Sequence, residues 1–150
     1  MQGILLTLVA ARPAAVAPLP IFVYGTLRPG EKNYPIYLQG RTIRESVATA
    51  RGELYYLRDG GYPYLQEGEG VVRGELVEIT PAAYEETLRA VDGLEEYNPA
   101  DEAGSVYLRR RTRVKLEDGG EVEAWTYYWN RPSQGERILS GDFKHPNTPK

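Results

Sequence analysis

Ile21-Phe22-Val23-Tyr24-Gly25-Thr26-Leu27-Arg28-Pro29-Gly30 couples a short apolar, β-prone run to a glycine-bounded loop. The run reads as a buried strand stopped by Gly25. A strand that ends in glycine and enters an irregular loop presents successive backbone N–H groups. Such a concavity can hold a carboxylate or a developing oxyanion, and glycine lets a ligand approach the backbone closely. A plain β-turn would share this composition. The loop is not a phosphate loop, because it lacks the spaced glycines and the Lys-Ser/Thr pair.

Outward from this loop the chain reads as one domain. Residues 34–40 suggest a short helix closed by glycine. Residues 47–57 are β-branched and aromatic, with Gly52 predicting a bend or bulge. Asp59-Gly60-Gly61-Tyr62-Pro63 reads as a turn, and residues 71–79 as a strand. Thr80-Pro81 opens the clearest helix: Thr80 is placed to cap it, Pro81 suits its first position, and Glu85 and Glu86 suit its positive end. Tyr84, Leu88 and Val91 form its apolar stripe, and Gly93 is expected to end it. Tyr107–Leu116 and residues 122–129 read as a hairpin over Glu117-Asp118-Gly119-Gly120. Arg109, Arg111 and Arg113 alternate along its first strand, and for most of the three this reads as a solvated face. The sum is an α+β domain whose glycine-bent strands can curl into a small barrel around the helix.

Residue types narrow the chemistry. The chain has no cysteine, which excludes disulfides, thiolate metal sites and a cysteine nucleophile, and fits a reducing cytoplasm. Its single histidine, His145, lies in a proline-broken polar tail, so a Ser-His-Asp triad or a multi-histidine metal site is not expected. A general base must then be Asp, Glu, Lys or Tyr. The net charge of −3 argues against general affinity for nucleic acid. An apolar run from Ile4 to Ala11 is too short to span a bilayer. Residues 1–20 therefore read as a disordered leader or a mis-assigned start outside the fold, 21–143 as the domain, and 144–150 as a polar tail.

Two carboxylates stand out near the helix end. Continuing the stripe by one turn reaches Glu95, which would project toward the core or a pocket; desolvation would then raise its pKa into a useful range. The alternative is that Gly93 stops the helix and Glu95 turns to solvent with Glu96. Periodicity leaves the two balanced. Asp92 falls off the stripe and reads as a helix-end residue bonded to local backbone.

The strings Tyr24-Gly25-Thr26-Leu27-Arg28-Pro29-Gly30, Gly61-Tyr62-Pro63, Gly74-Glu75-Leu76, Val91-Asp92-Gly93-Leu94-Glu95-Glu96-Tyr97, Tyr107-Leu108-Arg109, Ala124-Trp125-Thr126-Tyr127 and Ser140-Gly141-Asp142-Phe143 together resemble the γ-glutamylcyclotransferase-like family. The match runs from Ile21 to Phe143. The resemblance implies a small mixed β-barrel, of about five to seven strands, with flanking helices and a pocket at its mouth. It implies that Tyr24, Gly25, Thr26 and Leu27 hold the γ-glutamyl part of a small-molecule substrate, and that Glu95 is the catalytic glutamate. Tyr62, Tyr107 and Tyr127 fall on family aromatic positions and can line the pocket or pack the core. Arg28 can attract a substrate carboxylate or sit exposed on the loop. Family members carry glycine directly after the glutamate; this chain has Glu96.

The implied reaction cyclises a γ-glutamyl amide to 5-oxoproline and releases an amine or amino acid, as a lyase or acyltransferase. It requires no metal or organic cofactor, and the protein is expected to be a cytoplasmic monomer or homodimer without nucleic-acid or membrane partners. The main alternative is a non-catalytic small-molecule-binding or regulatory protein on the same fold. An amide hydrolase, or an interaction module using Arg109, Arg111 and Arg113, are further readings.

Overall fold

Ile21, Phe22 and Val23 form strand β1 (Ile21–Val23), and all three are buried. The strand has no polar face because both its faces are covered. Phe22 joins Leu54, Leu65, Val72, Val114 and Ala124 in one apolar cluster drawn from every strand of a barrel. Ile21 and Val23 join Tyr84, Val91 and Tyr127 in a second cluster outside it. This computed structural model describes residues 18–144. The apolar run at Ile4–Ala11 and the histidine reading at His145 lie outside the described residues.

The other strands are β2 (Thr42–Leu57), β3 (Tyr62–Ile79), β4 (Tyr107–Leu116), β5 (Glu121–Trp129) and the short β6 (Glu136–Arg137). Their order is β3-β1-β5-β4-β2-β6, and β3 also pairs with β2, closing a five-stranded barrel with β6 as an outer addition. The β1–β5 pairing is parallel and all others are antiparallel, so the barrel is mixed as expected. Two helices flank it: α1 (Tyr34–Tyr37) and α2 (Tyr84–Leu94).

The β2–β3 hairpin is longer than the sequence suggested. Tyr62 and Pro63, read above as part of a turn, pair with Leu57 and Tyr56, so β3 runs unbroken from the hairpin to Ile79. Gly52 sits where the register slips between Arg51 and Glu53, with φ of 153°, confirming the bulge. A Cβ there would lie 2.8 Å from Leu65 Cδ1, so the close approach needs glycine.

Helix α2 departs from the expected boundaries at both ends. Its first turn is a separate 3₁₀ turn (Pro81–Ala83), and the Thr80 side chain forms no cap bond. The first turn closes instead through Ala83 N–H donating to the Thr80 carbonyl. Gly93 does not stop the helix, which runs through to Leu94. Glu95 is the C-cap, and Glu96 takes a left-handed conformation with φ of 54°. Glu96 N–H donates to Gly93 O and Tyr97 N–H to Asp92 O, the two bonds of a Schellman stop. Here Glu96 accepts the strain that glycine usually avoids. Glu96→Gly is therefore expected to stabilise the fold by about 0.5–1 kcal/mol, raising Tm by a few degrees in a thermal melt.

The leader boundary also shifts. Leu19 O accepts a bond from Tyr84 Oη at 2.8 Å, and Pro20 O accepts one from Trp125 N–H at 2.8 Å. Both residues belong to the folded body. Lys144, read as tail, donates from Nζ to Pro29 O at 2.6 Å.

Candidate functional site

Where β1 ends, the backbone of Tyr24, Gly25, Thr26 and Leu27 forms one wall of a cavity of about 200 Å³. Tyr62 and Pro63 from β3, Tyr107 from β4, Tyr127 from β5, and Leu94, Glu95 and Glu96 from the end of α2 also line it, with Lys32 and Asn33 on the loop and β1 itself behind.

The loop is held open and rigid. Arg28 N–H donates to Gly25 O at 3.0 Å, closing a β-turn. Asn33 binds Thr26 twice, through its N–H to Thr26 O and its Nδ2 to Thr26 Oγ1, both at 2.9 Å. Among the described residues, the N–H groups of Gly25, Thr26 and Leu27 donate to no partner. Three adjacent donors left unused beside a cavity are what an anionic group needs. Gly25 has a second reason to be glycine: a Cβ there would lie 2.7 Å from Pro63 Cγ.

Arg28 does not face the cavity, and neither sequence alternative describes it. Its guanidinium is buried, with Nε 2.8 Å from Glu75 Oε1 and Nη1 2.8 Å from Asp142 Oδ1. It braces the loop against β3 and the C-terminal turn.

Glu95 lies half-buried in the lining, so the helix takes the inward of the two readings. Among the described residues its carboxyl has no hydrogen-bond partner. Burial, reinforced by the charge of Asp92, pushes its pKa up to about 8 from 4.5. A glutamate placed so exchanges a proton near neutral pH.

Asp92 corrects a sequence expectation. Its carboxylate does not bond to local backbone. Oδ1 accepts from Arg109 Nε at 2.9 Å and from Tyr127 Oη at 2.6 Å, and Oδ2 from Arg109 Nη2 at 3.3 Å. Arg109 is half-buried and lies over the Trp125 ring, 4.5 Å from its centroid. It is therefore not on a solvated face, whereas Arg111 and Arg113 are exposed as expected. Tyr127 O in turn accepts from Tyr24 Oη at 2.7 Å, which links the helix end to the start of the glycine loop.

Burial first, then the hydrogen bond to Asp92, holds the Tyr127 phenol far above its ordinary pKa. Burial and the nearby Glu95 charge do the same for Tyr107, which donates to Pro63 O at 3.1 Å. Tyr24 is raised by burial and by Tyr107. All three stay neutral and can shape the wall or donate, while Tyr62 is a half-buried wall residue. Asn33 was not singled out from sequence; its role as a brace for Thr26 shows only in the folded loop. Among the described residues, no group of three His, Cys, Asp or Glu side chains could hold a metal ion, and no helix is long and apolar enough to cross a membrane.

A closed mixed barrel, a loop of free amide donors and an isolated carboxylate in one cavity define a small-molecule site of acyl-chemistry type. The comparisons give that class its particular form. Residues 21–145 match the family model described as gamma-glutamyl cyclotransferase, AIG2-like, and the chain belongs to this family. It is 38% identical over 124 residues to the gamma-L-glutamyl-butirosin B gamma-glutamyl cyclotransferase of Niallia circulans, covering 83% of this chain and 74% of that one. Among solved structures, YkqA from Bacillus subtilis matches with a TM-score of 0.62 and 26% identity, over 85% of this chain and 40% of YkqA. An AIG2-like protein from Mus musculus matches with a TM-score of 0.57 and 25% identity, over 73% of this chain and 76% of that one. The resemblance read from the Tyr-Gly-Thr-Leu and Asp-x-x-Glu-x-Tyr strings is thereby confirmed. The activity named in the family description and in the Niallia circulans relative is gamma-glutamyl cyclotransfer.

Proposed function

We propose that this protein cyclises a γ-glutamyl amide to 5-oxoproline and releases the amine. The observation that carries this is the position of Glu95, a desolvated carboxyl without a partner, in the same cavity as the three unused N–H groups of Gly25, Thr26 and Leu27. The substrate's α-amino nitrogen attacks its own γ-carbonyl carbon, a C–N bond forms, and the original amide C–N bond breaks. Glu95 takes the proton from the attacking nitrogen and returns it to the leaving nitrogen, so no proton is lost or gained. The loop donors hold the γ-glutamyl part in its folded, near-attack shape. Tyr24, Tyr62, Tyr107 and Tyr127 wall the cavity and keep water away from the reacting bond. Arg28 contributes from behind, by fixing the loop.

The test is product analysis over a panel of γ-glutamyl amines and peptides, with γ-glutamyl-butirosin B included because a relative is named for it. Release of 5-oxoproline is expected. Free glutamate would indicate hydrolysis, and binding without turnover a non-catalytic role; either overturns the proposal.

The pH dependence follows from Glu95. Its basic form accumulates as pH rises through about 8, so kcat/KM should climb across that range. Asp92→Asn removes a negative charge that opposes ionisation and leaves Arg109 uncompensated nearby. Both changes favour the charged carboxylate, so the rising limb should move to lower pH. A limb that stays in place would remove Asp92 from this role.

A further inference from the structure

We infer that Lys32 selects substrates whose leaving group carries a carboxylate; this rests on the cyclisation reading above. Lys32 is the one cation lining the cavity among the described residues, and it is exposed, at the rim. The two other cations near the site are spent: Arg28 on Glu75 and Asp142, Arg109 on Asp92. Lys32 lies in no ion pair with a described residue, although Glu95 and Glu96 line the same cavity. Its backbone position is set by the bonds on either side, Glu31 N–H to Arg28 O and Asn33 N–H to Thr26 O, both 2.9 Å.

Placement decides which carboxylate it meets. A γ-glutamyl amide has its own α-carboxylate close to the reacting carbon, within reach of the loop N–H groups. The leaving group extends the other way, from the γ-carbonyl toward solvent, and the rim is where its far end emerges. There Glu96, a second acidic side chain in the lining, disfavours an incoming carboxylate unless a cation offsets it. Lys32 supplies that cation. The favoured class is a γ-glutamyl amino acid, with a free carboxylate beside the scissile amide, over a γ-glutamyl derivative of a neutral amine.

The matched probes are γ-glutamyl-alanine and γ-glutamyl-alaninamide, which differ in one charge and almost nothing in shape. The readout is the ratio of their kcat/KM values in the wild type, Lys32→Met and Lys32→Glu. Lys32→Met should lower the acid-to-amide ratio by about fivefold, the scale of an exposed charge pair. Lys32→Glu should lower it further, through KM, and raised ionic strength should shrink the wild-type ratio. A ratio unmoved by both variants overturns the inference while leaving cyclisation standing. Equal losses on both probes overturn it too, since the lysine would then be reading the shared γ-glutamyl carboxylate. Absence of 5-oxoproline from either probe and from the wider panel overturns both readings.

Discussion

Glu95→Gln should cut 5-oxoproline release by about 10²–10⁴-fold, the usual contribution of a positioned acid–base group. The amide keeps the size and shape of the carboxyl but cannot carry the proton between the two nitrogens. KM should change little if the loop donors do the holding, so the loss falls on kcat. Stability should move the other way, and only at high pH. Below about pH 4.5 the carboxyl is neutral in both folded and unfolded chains, so glutamine gains nothing. Between 4.5 and about 8 the unfolded chain ionises while the folded one retains its proton, and wild-type stability falls as pH rises. The variant escapes this. Its Tm advantage over wild type should be near zero at pH 4, grow between about 4.5 and 8, and level off above that range. Full activity in Glu95→Gln would show that another group moves the proton.

The second large effect is structural. Arg28→Ala should destabilise the protein by about 3–5 kcal/mol, because it takes the shared cation from two largely buried carboxylates, Glu75 and Asp142, with exposures of 13% and 14%. In a domain of this size that corresponds to a Tm drop of roughly 10 °C. Arg28→Lys should recover only part of it, since a single ammonium cannot reproduce the guanidinium's reach to both partners. Thermal melts of the three proteins check this. A drop of a degree or two in Arg28→Ala would mean the ion triad is replaceable by water.

The local chemistry of the sequence carried much of this architecture. Unbroken apolar character named β1 as a strand buried on both faces, Glu117–Gly120 named the β4–β5 hairpin, and Gly52 named the bulge. Each signal lies within a few residues of what it specifies. The misplaced boundaries came where distant partners decide. Tyr62 and Pro63 looked like a turn because Pro and Gly surround them, yet pairing with Tyr56 and Leu57 draws them into β3. The same holds at the site. The glycine loop and Glu95 were legible from local pattern and from the family strings. Arg28 and Asp92 were misjudged, and Arg109 was not told apart from Arg111 and Arg113, because a charged residue's burial depends on a partner that sequence does not place beside it. Asp92 lies off the apolar stripe, but Arg109 and Tyr127 come from other strands to meet it.

Strand β1 is only three residues long, and both its neighbours are remote in the chain: Ile21 pairs with Val77 on one side and with Trp125 on the other. The two hairpins, β2–β3 and β4–β5, each join strands adjacent in the chain, whereas β1 bridges one strand from each. It acts as the keystone of the ring. The loop Tyr24–Leu27 hangs directly from that keystone, so the position of the candidate site depends on the least local pairings of the barrel. Opening the ring at β1 would carry that loop away from β3, β5 and Glu95, which ties the population of competent protein to complete closure of the barrel.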